Sequence, residues 1–233
     1  TTTNAGTVNV RATVGGGYGD IYGYTYERDD AGNIVTGADG VPMRNSDYTL
    51  LGNYQPDWTG GLSNNLKYKN LSLRLLVDAR IGGEVFSGTD AALDGSGLSE
   101  KTLEYREGGV VVAGVTNTGT SEAPVYSTNE ANITAQQYWG NYSSIPENYI
   151  FDQTNIRLRE ASLNFRLPKS LISATPFQDI TVGVIGRNLF FLYKKMDNFD
   201  PESSYSTSNF AQGVLFYNLP TTRQYGINLN IKF

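Results

Sequence analysis

The sequence predicts an all-β chain of antiparallel strands, and three observations carry that prediction. The first is the stretch from Leu219 to Phe233, LPTTRQYGINLNIKF, where Tyr225, Ile227, Leu229, Ile231 and Phe233 alternate without a break with Gln224, Gly226, Asn228, Asn230 and Lys232. Successive side chains of a strand point to opposite sides, so this is a strand with one apolar and one polar face. The second is composition: 26 glycines, 16 tyrosines and 10 phenylalanines suit turns and pleated surfaces rather than helices. The third is that short connections between strands alternate with long ones. Long loops on one side and short turns on the other are the pattern of an outer-membrane barrel, with the short turns in the periplasm.

Taken alone, the final strand admits three readings. It could be a half-buried strand of a soluble sandwich, a strand cut at a chain boundary, or a barrel strand with its apolar face in lipid and its polar face in the lumen. The remaining elements bear on the choice. Residues 1–17 are rich in Thr, Gly and Asn, with a short strand expected from Thr7 to Val14. Ile21 to Glu27, with Tyr22, Tyr24 and Tyr26 alternating, reads as a strand. Asp29-Asp30-Ala31-Gly32-Asn33 reads as a turn; it resembles a calcium loop only superficially, because the EF-hand spacing is missing. Residues 36–59 read as loop.

Gly60-Gly61 open a hairpin. Leu62, Leu66 and Tyr68 share one face, a tight turn falls at Lys69-Asn70, and the return strand places Leu71, Leu73, Leu75, Val77, Ala79 and Ile81 together. Ser72, Arg74, Asp78 and Arg80 lie opposite, with Leu76 as the exception. Residues 82–148 form a long polar insertion, either functional or disordered. The aromatic group Tyr138, Trp139, Tyr142, Tyr149 and Phe151 at its end reads either as an interfacial girdle or as a stacking platform for ligand.

From Ile156 to Leu167 the alternation changes phase: Ile156 and Leu158 are apolar at even positions, Ala161, Leu163, Phe165 and Leu167 at odd ones. One strand does this only with an extra residue, so a β-bulge is expected near Arg159-Glu160. A short connection through Pro168 leads to a strand over Gln178–Tyr193, in which Asn188 is assigned to the apolar face and Arg187 to the polar one. A second long loop, 193–218, precedes the final strand.

Composition also excludes chemistry. Cysteine and histidine are absent, so disulfides, thiolate nucleophiles, histidine bases and Cys/His metal sites are ruled out. Carboxylates are plentiful, but none forms a pair that the sequence singles out, so no catalytic residue, metal ligand or cofactor is expected. A formal net charge of −5 with no basic block argues against nucleic acid as a partner. No apolar run reaches the ~18 residues of a membrane helix, which leaves barrel strands of ~9–11 residues open. The opening TTTNAGTVNVRATVGGG has no basic n-region or apolar h-region, so no secretion signal is read there.

Four blocks, LGNYQPDWTGGLSNNLKYKNLSLRLLVDARIGGEVFS, IRLREASLNFRLPKSL, GVIGRNLFFLYKKMDNFDPESS and LPTTRQYGINLNIKF, together resemble the C-terminal part of SusC/RagA-type TonB-dependent outer-membrane transporters of Bacteroidetes. YGDIYGYTYERDDAGNIV resembles them too, so the resemblance covers residues 17–233. It implies that residues 1–233 are the C-terminal part of a large transmembrane barrel of about 22 strands, in the bacterial outer membrane, with the plug and N-terminal strands outside this chain. The expected partners are the remaining barrel and plug, TonB acting through an upstream region, a SusD-like lid lipoprotein, outer-membrane lipid, and an oligosaccharide or peptide substrate for active import.

Within that picture Tyr138, Trp139 and Tyr142 are candidates for ligand or lid contact. Arg74, Asp78, Arg80, Arg157, Arg159 and Arg187 are candidates for the lumenal surface, where mixed charge can bind polar ligand or form a structural ladder between strands. Tyr225, Ile227, Leu229, Ile231 and Phe233 resemble the C-terminal signal read by the outer-membrane assembly machinery. The alternative is a secreted, soluble β-sandwich that binds glycans through its Tyr/Trp-rich loops.

Overall fold

The computed structural model describes residues 3–4, 7–120, 123–203, 205 and 212–233. The chain divides into two compact units. One comprises Thr1–Gln55, Glu84–Phe151 and Ser204–Asn218, the other Pro56–Gly83, Asp152–Ser203 and Leu219–Phe233.

The second unit is a five-stranded antiparallel sheet. Its strands are β1 (Trp58–Tyr68), β2 (Leu71–Ile81), β3 (Asn155–Arg166), β4 (Asp179–Lys194) and β5 (Gln224–Lys232), in the spatial order β5-β4-β3-β2-β1. The register turns the sequence alternation into rows. Leu66, Leu73, Leu163, Val184 and Ile227 run across all five strands as Cα partners, and the next row is Lys67, Ser72, Asn164, Gly183 and Asn228. Aliphatic and polar rows thus project from opposite faces. Nothing within the described residues covers the aliphatic face: Ile227 is 83% exposed, and Leu62, Leu66, Leu163, Val184 and Leu229 are exposed as well. A soluble sandwich would bury that face against a second sheet.

The β1–β2 turn falls at Lys69-Asn70, with Lys69 in the left-handed region at φ 51°. The bulge that the phase change requires is present: both ladders of β3 shift register between Leu158 and Glu160. Arg159 is left without a Cα partner, and it follows that Arg159 and Glu160 are adjacent residues on the polar face. Asn188 departs from expectation. At φ 51° it interrupts the alternation of β4, and its side chain accepts a hydrogen bond from Arg159 on the polar face rather than lying on the apolar one. Asn is among the few residues that adopt this conformation readily.

The first unit carries a conventional core. Val8, Val10, Ile21, Tyr54, Phe86, Tyr149 and Val214 are buried together. Val8–Arg11, Asp20–Gly23 and Thr49–Asn53 are neighbours in one sheet, so a strand lies inside the stretch read as loop. The Tyr-rich strand is shorter than expected because the chain changes partners after Gly23: Tyr26 bridges Arg44, and Arg28 bridges Ile34. In the Asp29 turn the carboxylate accepts from the N–H groups of Ala31 and Asn33 and from the Asn33 side chain, the backbone role of a turn.

The polar insertion is folded, not disordered. It holds helix α1 (Gly88–Gly95), a 3-10 turn (Glu100–Leu103), helix α2 (Ala135–Ser143) and short paired strands. Thr134 and Gln137 form a capping box at the start of α2. Part of the 193–218 loop, at 204 and 206–211, lies outside the described residues.

Candidate functional site: a charged sheet face and an aromatic cluster

The bulge concentrates charge on the polar face of the sheet. Arg159 donates to Asp78 (Nε to Oδ2, 2.8 Å), to both carboxylate oxygens of Glu202 (2.9 and 2.5 Å) and to Asn188 Oδ1 (2.9 Å). Arg157, 3% exposed, donates to Glu202 (2.5 Å) and to the Asn188 carbonyl (3.2 Å), lies 3.8 Å from Asp200, and stacks over Phe191. Asp200 in turn accepts from the Thr221 hydroxyl and from the N–H groups of Thr221 (3.0 Å) and Glu202 (2.9 Å). Burial alone would raise the Asp200 pKa. The Thr221 hydroxyl, these N–H groups and Arg157 outweigh it and hold the carboxyl below its ordinary value. The Asp200-Pro201-Glu202 loop is therefore stapled to β3 and to the residues entering β5.

Arg80 hydrogen-bonds Gln153 (2.8 Å), whose amide donates to the Pro201 carbonyl (2.9 Å), extending the staple. Arg74 and Arg187 are arranged differently. Both are more than half exposed and both face one carboxylate, Glu160, at 3.9 and 3.1 Å. A cavity of about 360 Å³ lies here, lined by Arg74, Glu160, Arg187, Asn164, Asn228 and Lys67 among others. Arg157 and Arg159 pair in charge with Asp78, Asp200 and Glu202, although Arg157 Nε and Asp78 Oδ1 are buried without a hydrogen bond among the described residues. Arg74, Arg187 and Lys67 outnumber Glu160 and face open space. The six residues read from sequence as one group thus separate into a closed staple and an open cationic patch. Sequence reasoning missed Asp200 and Glu202, whose only signal was two acids flanking a proline in a loop.

The aromatic group belongs to the first unit. Tyr138, Trp139 and Tyr142 lie on α2 rather than on a strand, and pack on one another and on Tyr105 and Tyr149 with centroids 5.0–6.5 Å apart. They are a helix-borne cluster. Trp139 is 8% exposed and its indole N–H donates to the Glu104 carbonyl, so most of the ring is covered. Tyr138 and Tyr142 are half-buried; burial, with Tyr105, Tyr142 and Glu104 nearby, pushes the Tyr138 hydroxyl up to about 12. Beneath them the fully buried Asp94 accepts from Tyr149 (2.7 Å), Ser99 (2.5 Å) and Lys101 (2.5 Å), and Lys101 lies against the Trp139, Tyr142 and Tyr149 rings. Burial and then the Asp94 bond drive the Tyr149 pKa upward.

No protein-family model matches the chain. Among curated proteins it is similar to TonB-dependent receptor P3 of Formosa agariphila, 28% identical over 239 residues, covering 92% of this chain and 22% of that protein. TonB-dependent receptor P26 of the same organism is 26% identical over 202 residues, covering 84% of this chain and 19% of that protein. The chain thus spans about a fifth of the length of these relatives. Among solved structures, the RagAB peptide importer in its closed-closed state superposes with a TM-score of 0.58 at 20% identity, over 92% of this chain and 24% of that one. Its open-open state gives 0.56 at 19% identity, over 98% and 24%.

In sequence the chain is similar to about a fifth of two TonB-dependent receptors, and in fold to part of the RagAB importer. Its sheet is a stretch of a transmembrane β-barrel that the described strands do not close. In a barrel wall the uncovered aliphatic rows have a physical explanation, because lipid replaces the second sheet that a soluble sandwich would need. Strands of 9 to 16 residues are long enough to span the hydrocarbon layer.

Proposed function

We propose that this segment supplies wall, lumenal lining and extracellular loops to a TonB-dependent importer of the bacterial outer membrane. The importer takes up oligosaccharides or peptides, and residues 1–233 form the C-terminal part of its barrel. The observation that carries the reading is the row structure of the sheet, with a predominantly apolar, uncovered face backed by a charged, hydrogen-bonded one, in a chain similar in sequence to TonB-dependent receptors. The plug and the remaining strands, on this reading, belong to the same longer polypeptide. TonB acts through that upstream region, and a SusD-like lipoprotein covers the extracellular mouth, where Tyr138 and Tyr142 offer ligand or lid contact. The segment performs no chemistry. Arg74 and Arg187 line the route taken by polar substrate, and Arg157, Arg159 and Asp78 keep the wall and its loop in shape. Tyr225, Ile227, Leu229, Ile231 and Phe233 serve barrel assembly.

The test places single cysteines at Ile227 and Asn228 of the intact receptor in outer membranes, each labelled with an environment-sensitive fluorophore. Blue-shifted emission at 227 quenched by lipid-borne quenchers, with aqueous quenching at 228, is expected. Equal accessibility of both positions to aqueous quencher would overturn the barrel reading. Uptake that persists without TonB would overturn the import reading.

A further inference from the structure

The insertion holds a second cleft, remote in sequence from the charged sheet face, with a volume of about 580 Å³, inside the range of small-ligand sites. It is bounded by the end of α1 with Ser96 and Gly97, by Thr102 and Arg106 after it, and by the first turn of α2 with Gln136; the uncovered edge of Trp139 also faces it. Its charge balance is informative. Asp94 lies at its floor, but that carboxylate is already neutralised by Lys101 and hydrogen-bonded by Tyr149 and Ser99. Arg106 is the reverse case. Its Nε donates to the Thr102 carbonyl (3.0 Å) and its Nη2 to the Gly97 carbonyl (3.0 Å), and among the described residues it meets no carboxylate within ion-pair distance. Two carbonyls and the Thr102 hydroxyl (3.4 Å from Nη2) therefore fix the guanidinium in place without cancelling its charge, and Nη1 has no partner among the described residues. With Nε and Nη2 held in this way, Nη1 keeps its N–H donors for a carboxylate, with little ordering left to do on binding. Beside it, Ser96 and Gln136 have no side-chain hydrogen bond among the described residues, and the indole edge provides one apolar wall.

We propose that this cleft binds a carboxylate group of the imported substrate, with Arg106 as its ion-pairing residue and Ser96 and Gln136 as donors and acceptors to the polar body that carries it. The proposal rests on the import reading and names the chemistry of one substrate group. That carboxylate has two natural sources, the uronic acid of an oligosaccharide and the acidic residue of a short peptide.

Calorimetry on the intact, detergent-solubilised receptor distinguishes them. The probes are trigalacturonate against its carboxyl-reduced trisaccharide, and N-acetylated, C-amidated Ala-Glu-Ala against Ala-Gln-Ala. An acidic probe is expected to bind where its neutral counterpart does not, to weaken with salt, and to lose about tenfold or more in affinity with Arg106→Gln. Arg106→Lys, which keeps the charge and loses the fork, should recover part of that loss. Binding of the sugar acid alone or of the peptide acid alone assigns the source, and binding of both assigns only the carboxylate. Gln136→Trp, which obstructs the cleft without touching Arg106, is expected to abolish binding and serves in place of Arg106→Gln should that variant misfold. Equal binding of acidic and neutral probes, no binding of any probe, or unchanged affinity in both Arg106→Gln and Gln136→Trp would overturn the proposal. TonB-dependent uptake measured in parallel separates the two readings: uptake without acid binding sinks only the cleft, and acid binding without TonB-dependent uptake sinks only the import function.

Discussion

The two units of this chain solve opposite solvent problems. In the first, apolar side chains converge on Ile21, Tyr149 and Val214, each almost completely buried, and the buried Asp94 is paired with Tyr149, Ser99 and Lys101. In the second, every residue of the last strand is exposed, and order comes from ladder hydrogen bonds and from charges paired across one face. A buried core is what water selects. Alternating rows with an uncovered aliphatic side are what a bilayer selects, because there every backbone group must be satisfied within the sheet while side chains face hydrocarbon. The same chain therefore carries two folding codes, and the residues that look surplus in one unit are structural in the other.

The comparison can be broken most forcefully at Arg157. Arg157→Met leaves Asp200 without its buried cation, while Glu202 keeps Arg159, and should cost about 3 kcal/mol, the lower end of the penalty for breaking a buried pair. Urea unfolding of the intact receptor in lipid vesicles measures it, and a loss below about 1 kcal/mol would mean that the staple is decorative. Next comes a contrast between adjacent residues of β5. Ile227→Arg should destabilise the barrel by about 2–4 kcal/mol, whereas Asn228→Arg, on the other face, should change stability little. Similar costs at both positions would contradict the assignment of faces.

In the first unit, Tyr149→Phe removes one hydrogen bond to a fully buried carboxylate and should cost about 1.5–3 kcal/mol, visible as earlier melting of the Trp139 fluorescence signal. An unchanged melt would show that Lys101 and Ser99 suffice for Asp94. The smallest effect is acid sensitivity. Asp200 has a folded pKa below its ordinary value of 3.8, so its contribution is complete above that ordinary value and is lost as pH falls through the lower folded value. Each pKa unit of depression is worth about 1.4 kcal/mol. Asp200→Asn should flatten the pH dependence of stability below pH ~4; a curve with the wild-type slope would assign the acid effect to other carboxylates.

Alternation determined much of this by itself. The strand limits of β2 and β5, the turn at Lys69-Asn70 and the bulge after Leu158 all follow from side-chain period, because a pleated strand with one apolar face leaves a period of two in the sequence wherever its surroundings are uniform; β1 begins at Trp58, inside the stretch read as loop. The grouping of Arg74, Asp78, Arg80, Arg157, Arg159 and Arg187 on one face was legible for the same reason. Their division into a staple and an open patch was not, since it depends on a loop, Asp200-Pro201-Glu202, folding back over the sheet, and no local period encodes a contact between residues some 40 positions apart. Asn188 escaped for a local reason, as one left-handed residue resets the period.

The insertion was opaque altogether. Its helices are eight and nine residues long, its strands two to four, and Trp139 looked like a surface aromatic until Tyr105, Tyr138 and Tyr142 closed around it. Elements that short carry too few periods to announce a face. What makes them order is mutual burial among distant residues, a property of the assembled structure that the linear sequence does not display.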